Sequence, residues 1–341
     1  MSLHDLELPP FRAAPLLRSA HLQTMFGSRA RKESAALERA SFDRVVEVDA
    51  ETRIRVRLSR SEVDAPRPTL VLVHGLVGDD RSPYMIGCAE AALASGLDVA
   101  RLNLRNCGGT EAMSTSCYHG AITADVAAAC RDLATTDGVK AMVVAGFSLG
   151  GGIVLRWAGL LGDDGPDYLR AFCGVSPAVD FDLASKACET DRLTKIYQRL
   201  FVNDLKELLA RKHALFPDRF PDPTGVRVRT LREFDDRYTS RLSGFQGVED
   251  YYAKASARPH LPNIARPTLV IAAADDPLVP PESFGDIDRG QNAHIRFEAP
   301  ENGGHCAYVA AKPAVVAGQR DSTRFWAEQR VVQVARSVLL G

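Results

Sequence analysis

The run Ala141 to Ala145 is small and apolar, and it passes directly into Gly146-Phe147-Ser148-Leu149-Gly150. A stretch with helical spacing follows, holding Ile153, Val154, Leu155, Trp157 and Ala158. A buried strand, a G-x-S-x-G turn and a helix, in that order, predict a nucleophile elbow. So sharp a turn strains the serine backbone, and Gly146 and Gly150 remove Cβ atoms that would otherwise collide across it. The Ser148 hydroxyl then stands clear of the sheet, at a helix N-terminus whose free N–H groups favour developing negative charge. Glycine and serine are common, so the pattern alone also fits an ordinary loop. Its partners elsewhere in the chain decide.

Further strands alternate with helices around the elbow. Thr69-Leu70-Val71-Leu72-Val73 is a continuous apolar run of the kind buried on both faces of a sheet, and Val99–Leu102, Ala171–Val175, Thr268–Ala272 and His294–Phe297 read as further strands. Helices are expected at about 82–95, 119–136 and 321–340. The alternating pattern from Arg44 to Leu58 predicts an antiparallel edge hairpin. The fold class is therefore α/β, with a mostly parallel central sheet, helices on both faces and a helical cap insertion. Residues 41–179 and 263–341 form the core. Residues 180–262 form the cap, where Leu193, Ile196, Leu200, Phe201, Leu205 and Leu208 recur at a helical period. Residues 1–40 read as a surface arm, with a short amphipathic helix from Leu16 to Phe26 that packs by its apolar residues.

A triad needs an acid and a histidine after the serine. Asp275-Asp276-Pro277-Leu278-Val279-Pro280 follows the strand at Thr268–Ala272, and the prolines make a rigid turn suited to holding a carboxylate still. Asp276 is favoured over Asp275, and over Asp180, which opens the cap. Near the C-terminus, Gly303-Gly304 gives a loop the freedom to set His305 over the serine. His305 would take the Ser148 proton while Asp276 holds its tautomer. After the first parallel strand comes His74-Gly75-Leu76, where a second oxyanion N–H belongs; the donors would be the backbone N–H groups of Leu76 and Leu149. His74 is expected to be structural, and Cys306 to be packing.

Composition excludes several classes. A net charge of -1 gives no overall attraction to nucleic acid. Seven scattered cysteines without a C-x-x-C suggest neither a disulfide framework nor a metal site, and point to a reducing, cytoplasmic setting. The N-terminal stretch has an acidic start and no long apolar run, so no signal peptide or integral membrane segment is expected.

Several segments beyond the elbow carry a resemblance. They are Ser19-Ala20-His21-Leu22-Gln23-Thr24, His74-Gly75-Leu76 with Ser82-Pro83-Tyr84, Asn103 to Thr110, Tyr118-His119-Gly120, Phe234-Asp235-Asp236-Arg237-Tyr238-Thr239 with Asp250-Tyr251-Tyr252, and Gly303-Gly304-His305-Cys306. With these the chain resembles the α/β-hydrolase superfamily, and within it the YheT-like esterases. The resemblance implies hydrolysis of carboxylic esters, with short- to medium-chain acyl esters or monoacylglycerols as small-molecule substrates, and no cofactor. It departs from the family at Asn106, where Gly is usual, at Gly152, where Asn is usual, and at Ala307, where Gly is common. A thioesterase, amidase or perhydrolase would use the same triad. A non-catalytic binding protein on the same fold is the reading from another class, and the unbroken Ser-Asp-His order argues against it. No G-x-G-x-x-G follows the first parallel strand, which disfavours a dinucleotide site.

Overall fold

The computed structural model describes residues 2–341 apart from residues 30, 61–67, 286, 288, 289 and 317. Eight strands form one sheet in the order β1-β2-β4-β3-β5-β6-β7-β8. The expected edge hairpin is β1 (Ser41–Asp49) and β2 (Thr52–Ser59), and β2 joins β4 (Asp98–Asn103) antiparallel. β3 (Thr69–Val73), β5 (Met142–Phe147), β6 (Leu169–Val175), β7 (Thr268–Ile271) and β8 (Ile295–Glu298) continue the sheet in parallel with β4.

Every residue of β3 and β5 is buried because helices cover both faces. Leu70 and Leu72 face a layer built by α3 (Pro83–Leu93) and α11 (Trp326–Leu339). Val71 and Val73 point the other way, into a layer built by α4 (Thr123–Thr136) and α5 (Leu149–Leu161). Each such side chain stabilises the fold by about 1.5–3 kcal/mol relative to exposure. Two helix starts differ from expectation. Residues 119–122 are a turn, in which Gly120 N–H donates to Tyr251 Oη and Ala121 N–H to His119 Nδ1. Before α11 the chain doubles back as the short pair β9 (Val315–Val316) and β10 (Gln319–Arg320), so the helix begins at Trp326.

Between β6 and β7 the chain is helical: α6 (Phe181–Ala187), α7 (Arg192–Leu215), α8 (Leu231–Phe234), a π-helical turn over Asp235–Thr239, α9 (Ser240–Leu242) and α10 (Val248–Ala255). Asp191 and Thr194 close a capping box at the start of α7. Leu205 and Leu208 of the expected apolar stripe of α7 are buried, but the first half of the helix buries a different face. Leu193, Ile196 and Leu200 are exposed, whereas Thr194, Gln198, Val202, Leu205, Leu208 and Lys212 are buried. Tertiary partners explain the rotation: Gln198 Oε1 accepts the Leu231 N–H, and Lys212 Nζ donates to the carbonyls of Glu111 and Ser114.

The N-terminal arm carries α1 (Ala20–Gly27) and α2 (Ala35–Ala40). α1 also docks by the face not expected. The helix expected from Leu16 starts only at Ala20, after a separate 3-10 turn over Pro15–Leu17; Leu16, Leu22 and Met25 are exposed, and the residue of α1 buried completely is Gln23. Its Nε2 donates to the carbonyls of Leu17 and Val309, and its Oε1 accepts the Val309 N–H, so one amide clamps the arm to the far end of the chain. Among the described residues no helix is long and apolar enough to cross a membrane.

Candidate active site

Ser148 sits between β5 and α5 with φ 52° and ψ −121°, a left-handed conformation that costs a non-glycine residue about 1–3 kcal/mol. Surrounding contacts hold it there. Its N–H donates to Val175 O, and its carbonyl accepts from Gly152 N and Ala178 N. A Cβ on Gly146 would lie 2.2 Å from Gly150 O, and one on Gly150 would lie 2.2 Å from His74 O. The elbow closes only with hydrogen at both positions.

The loops after β7 and β8 bring Asp276 and His305 to the serine. His305 Nε2 lies 2.8 Å from Ser148 Oγ, and its Nδ1 lies 2.9 Å from Asp276 Oδ2 and 3.1 Å from Oδ1. Asp276 is buried, and its Oδ1 also accepts the N–H groups of Leu278 and Val279. Those bonds pin the carboxylate within the turn that Pro277 and Pro280 stiffen. Asp275 holds the histidine loop instead, accepting the Gly304 N–H. Asp180 is elsewhere: it caps α6 through Leu183 N and pairs with Arg258. Burial disfavours the imidazolium of His305, but the adjacent Asp276 carboxylate outweighs it and holds the pKa well above the usual histidine value.

Leu76 and Leu149 line the same cavity as Ser148 and His305. Neither of their N–H groups donates to a protein acceptor among the described residues. The Gly75 N–H is taken by Tyr84 Oη, and Tyr84 stacks on Phe147 with centroids 4.3 Å apart. His74 is wholly buried, and its Nε2 accepts from Leu104 N, so the proton sits on Nδ1 and points at Gly75 O. Burial lowers its pKa, leaving a neutral ring that braces the loop.

Thr24, Ser176 and Tyr308 support the histidine loop from positions with no local signal in the sequence. Thr24 Oγ1, on α1, accepts the His305 N–H. Gly304 has φ 57°, and a Cβ there would lie 2.4 Å from Ala20 O, so the loop needs glycine for conformation and for space. Beneath the histidine, Ser176 Oγ accepts from Cys306 N and contacts Tyr308 Oη, which accepts from Ala273 N. The departures from the family pattern also find places. Asn106 adopts φ 67°, which asparagine tolerates better than most residues, and donates to Ser116 O. A Cβ at Gly152 would lie 2.3 Å from Ala178 O, so this chain has closed over the space an asparagine needs. Gly152→Asn is expected to destabilise the fold by about 1–3 kcal/mol through overpacking. Thermal unfolding checks it, and a Tm within about one degree of wild type would count against the contact.

Residues 68–311 match the family model described as the alpha/beta hydrolase fold. The chain is 33% identical to YheT of Escherichia coli, named as a candidate esterase, over 78% of this chain and 75% of that protein. It is 26% identical to the monoacylglycerol lipase of Saccharomyces cerevisiae over 72% of this chain, and spans 56% of the lipase. Among solved structures, an esterase of Pyrococcus furiosus shares the fold with a TM-score of 0.59 at 13% identity, over 92% of this chain and 96% of that one.

Proposed function

This chain belongs to the alpha/beta hydrolase fold family, on its YheT-like branch, and we propose that it cleaves carboxylic esters through an acyl-enzyme on Ser148, His305 and Asp276. The observation that carries the reading is the continuous hydrogen-bonded line from Ser148 Oγ through His305 to Asp276. Ser148 Oγ attacks the ester carbonyl as its proton passes to His305 Nε2. The Leu76 and Leu149 N–H groups stabilise the oxyanion. The intermediate collapses, the leaving alkoxide takes the proton from Nε2, and water repeats the sequence to free the acid and restore the serine. Asp276 fixes the tautomer and stabilises the imidazolium without being protonated.

Residues 180–262 act as the cap: Phe181, Ser185, Phe201, Leu205, Leu231 and Tyr252 supply much of the cavity wall facing the serine. Short- to medium-chain acyl esters and monoacylglycerols suit that largely apolar lining. All seven cysteines are free, which supports a reducing, cytoplasmic setting.

A panel of p-nitrophenyl esters, thioesters and amides of graded chain length tests the reading. Turnover of the esters is expected, and an enzyme inert to the whole panel overturns it. The same assay carries a pH signature. Only neutral His305 accepts a proton, so kcat/KM should rise with pH through the His305 pKa, and that limb should lie above the ordinary value of 6.5. A limb below that value would contradict the Asp276–His305 coupling.

A further inference from the structure

The cavity is mostly apolar, yet one wall of the cap is polar. Asp235 stands in the π-helical turn, a distortion that is rare in helices and frequent at functional sites. Part of its surface faces the cavity while protein surrounds the rest, and burial raises its carboxyl to about 6. The Tyr252 hydroxyl donates to Asp235 Oδ2 at 3.0 Å, and the Thr239 hydroxyl lies beside the same carboxylate. Ser185, on α6, also lines the cavity. It is 4% exposed, lies beside Tyr252, and its Oγ completes no hydrogen bond among the described residues. Asp235, Thr239, Ser185 and Tyr252 thus come from three separate cap segments and meet on one surface.

A buried hydroxyl left without a partner costs free energy, and a carboxylate in an apolar pocket costs more. Neither is needed to bind an acyl chain. We infer that Asp235 and Ser185, with Tyr252 between them, form a subsite that binds a hydroxyl group of the substrate and so selects hydroxylated esters over plain alkyl esters. The chemistry favours a hydroxyl over an ammonium. A hydroxyl donates to Asp235 and accepts from Ser185 at once, whereas an ammonium donates only and leaves the serine proton unmatched.

The inference rests on the ester-hydrolase reading, and one assay separates the two. Glyceryl monobutyrate and propyl butyrate share an acyl chain and a three-carbon alcohol, and differ by two hydroxyls. The wild-type kcat/KM ratio of the glyceryl to the propyl ester should be about 10–100, the worth of one buried hydrogen bond to a charged partner. In Asp235→Leu that ratio should fall to about one. Because it is a ratio within one preparation, a partly unfolded sample does not change it. If Asp235→Leu does not fold, Ser185→Ala makes the same comparison by deleting only the unpaired oxygen. A wild-type ratio near one, or a ratio unmoved in the folded variant, overturns the subsite. An enzyme inert to both esters refutes the hydrolase reading instead.

Discussion

Wild-type protein should take up a fluorophosphonate probe once per chain, and Ser148→Ala should abolish that labelling and lower kcat by about 10⁵–10⁶. The size follows from the elbow. Its left-handed backbone sets Ser148 Oγ 2.8 Å from His305 Nε2, so the hydroxyl reacts as part of a pair. Deleting either partner removes the whole nucleophile, and His305→Ala should therefore lose a similar factor. The double variant should lose little more. What survives, about 10³–10⁴ over water, belongs to the oxyanion donors and to substrate binding. Losses that add on the free-energy scale would mean the two residues work separately, and labelling that persists in Ser148→Ala would place the nucleophile elsewhere.

The second large effect concerns the acid. Asp276→Asn should cost about 10⁴ in kcat, because an amide in place of the carboxylate favours the histidine tautomer whose Nε2 is already protonated. Asp180→Asn should cost less than about tenfold, since a side chain that caps α6 and pairs with Arg258 acts on stability first. The contrast is sharp because both carboxylates follow neighbouring parallel strands, β6 and β7, and only one reaches the ring. Removing the negative charge should also move the acid limb of the pH profile down, as it is Asp276 that lifts the His305 pKa. A larger loss in Asp180→Asn than in Asp276→Asn would reverse the assignment.

The α/β class and the strand–turn–helix succession at the elbow were legible because they rest on local patterns. β3 and β5 are apolar throughout, and G-x-S-x-G lies between a strand and a helix. The place of Asp276 beside His305 was legible too, through the prolines that follow it. The arm was not. Gln23 and Thr24 read as polar residues on a short helix, and nothing near them reveals that their partners are Val309 and His305. α7 misleads in part for the same reason: Leu205 and Leu208 of its stripe are buried, but Leu193, Ile196 and Leu200 are not, and buried Gln198 and Lys212 are satisfied by groups at Leu231, Glu111 and Ser114. The π turn at Asp235–Thr239 has no periodicity to announce it. Short-range pattern finds elements, while the faces they bury depend on partners far along the chain.

The link between Thr24 and His305 also sets an order of events during synthesis. The two residues are 281 positions apart. At about 5–20 residues per second, a ribosome takes roughly 14–56 s to cover that distance. Throughout that interval the arm exists without the loop it braces, although β3, β5 and β6 are made well before its end. A chain stalled short of residue 305 carries the serine and the acid but lacks the imidazole that would take the serine proton. On the proposed mechanism, turnover begins only after the loop that follows β8 has been made and α1 has met it.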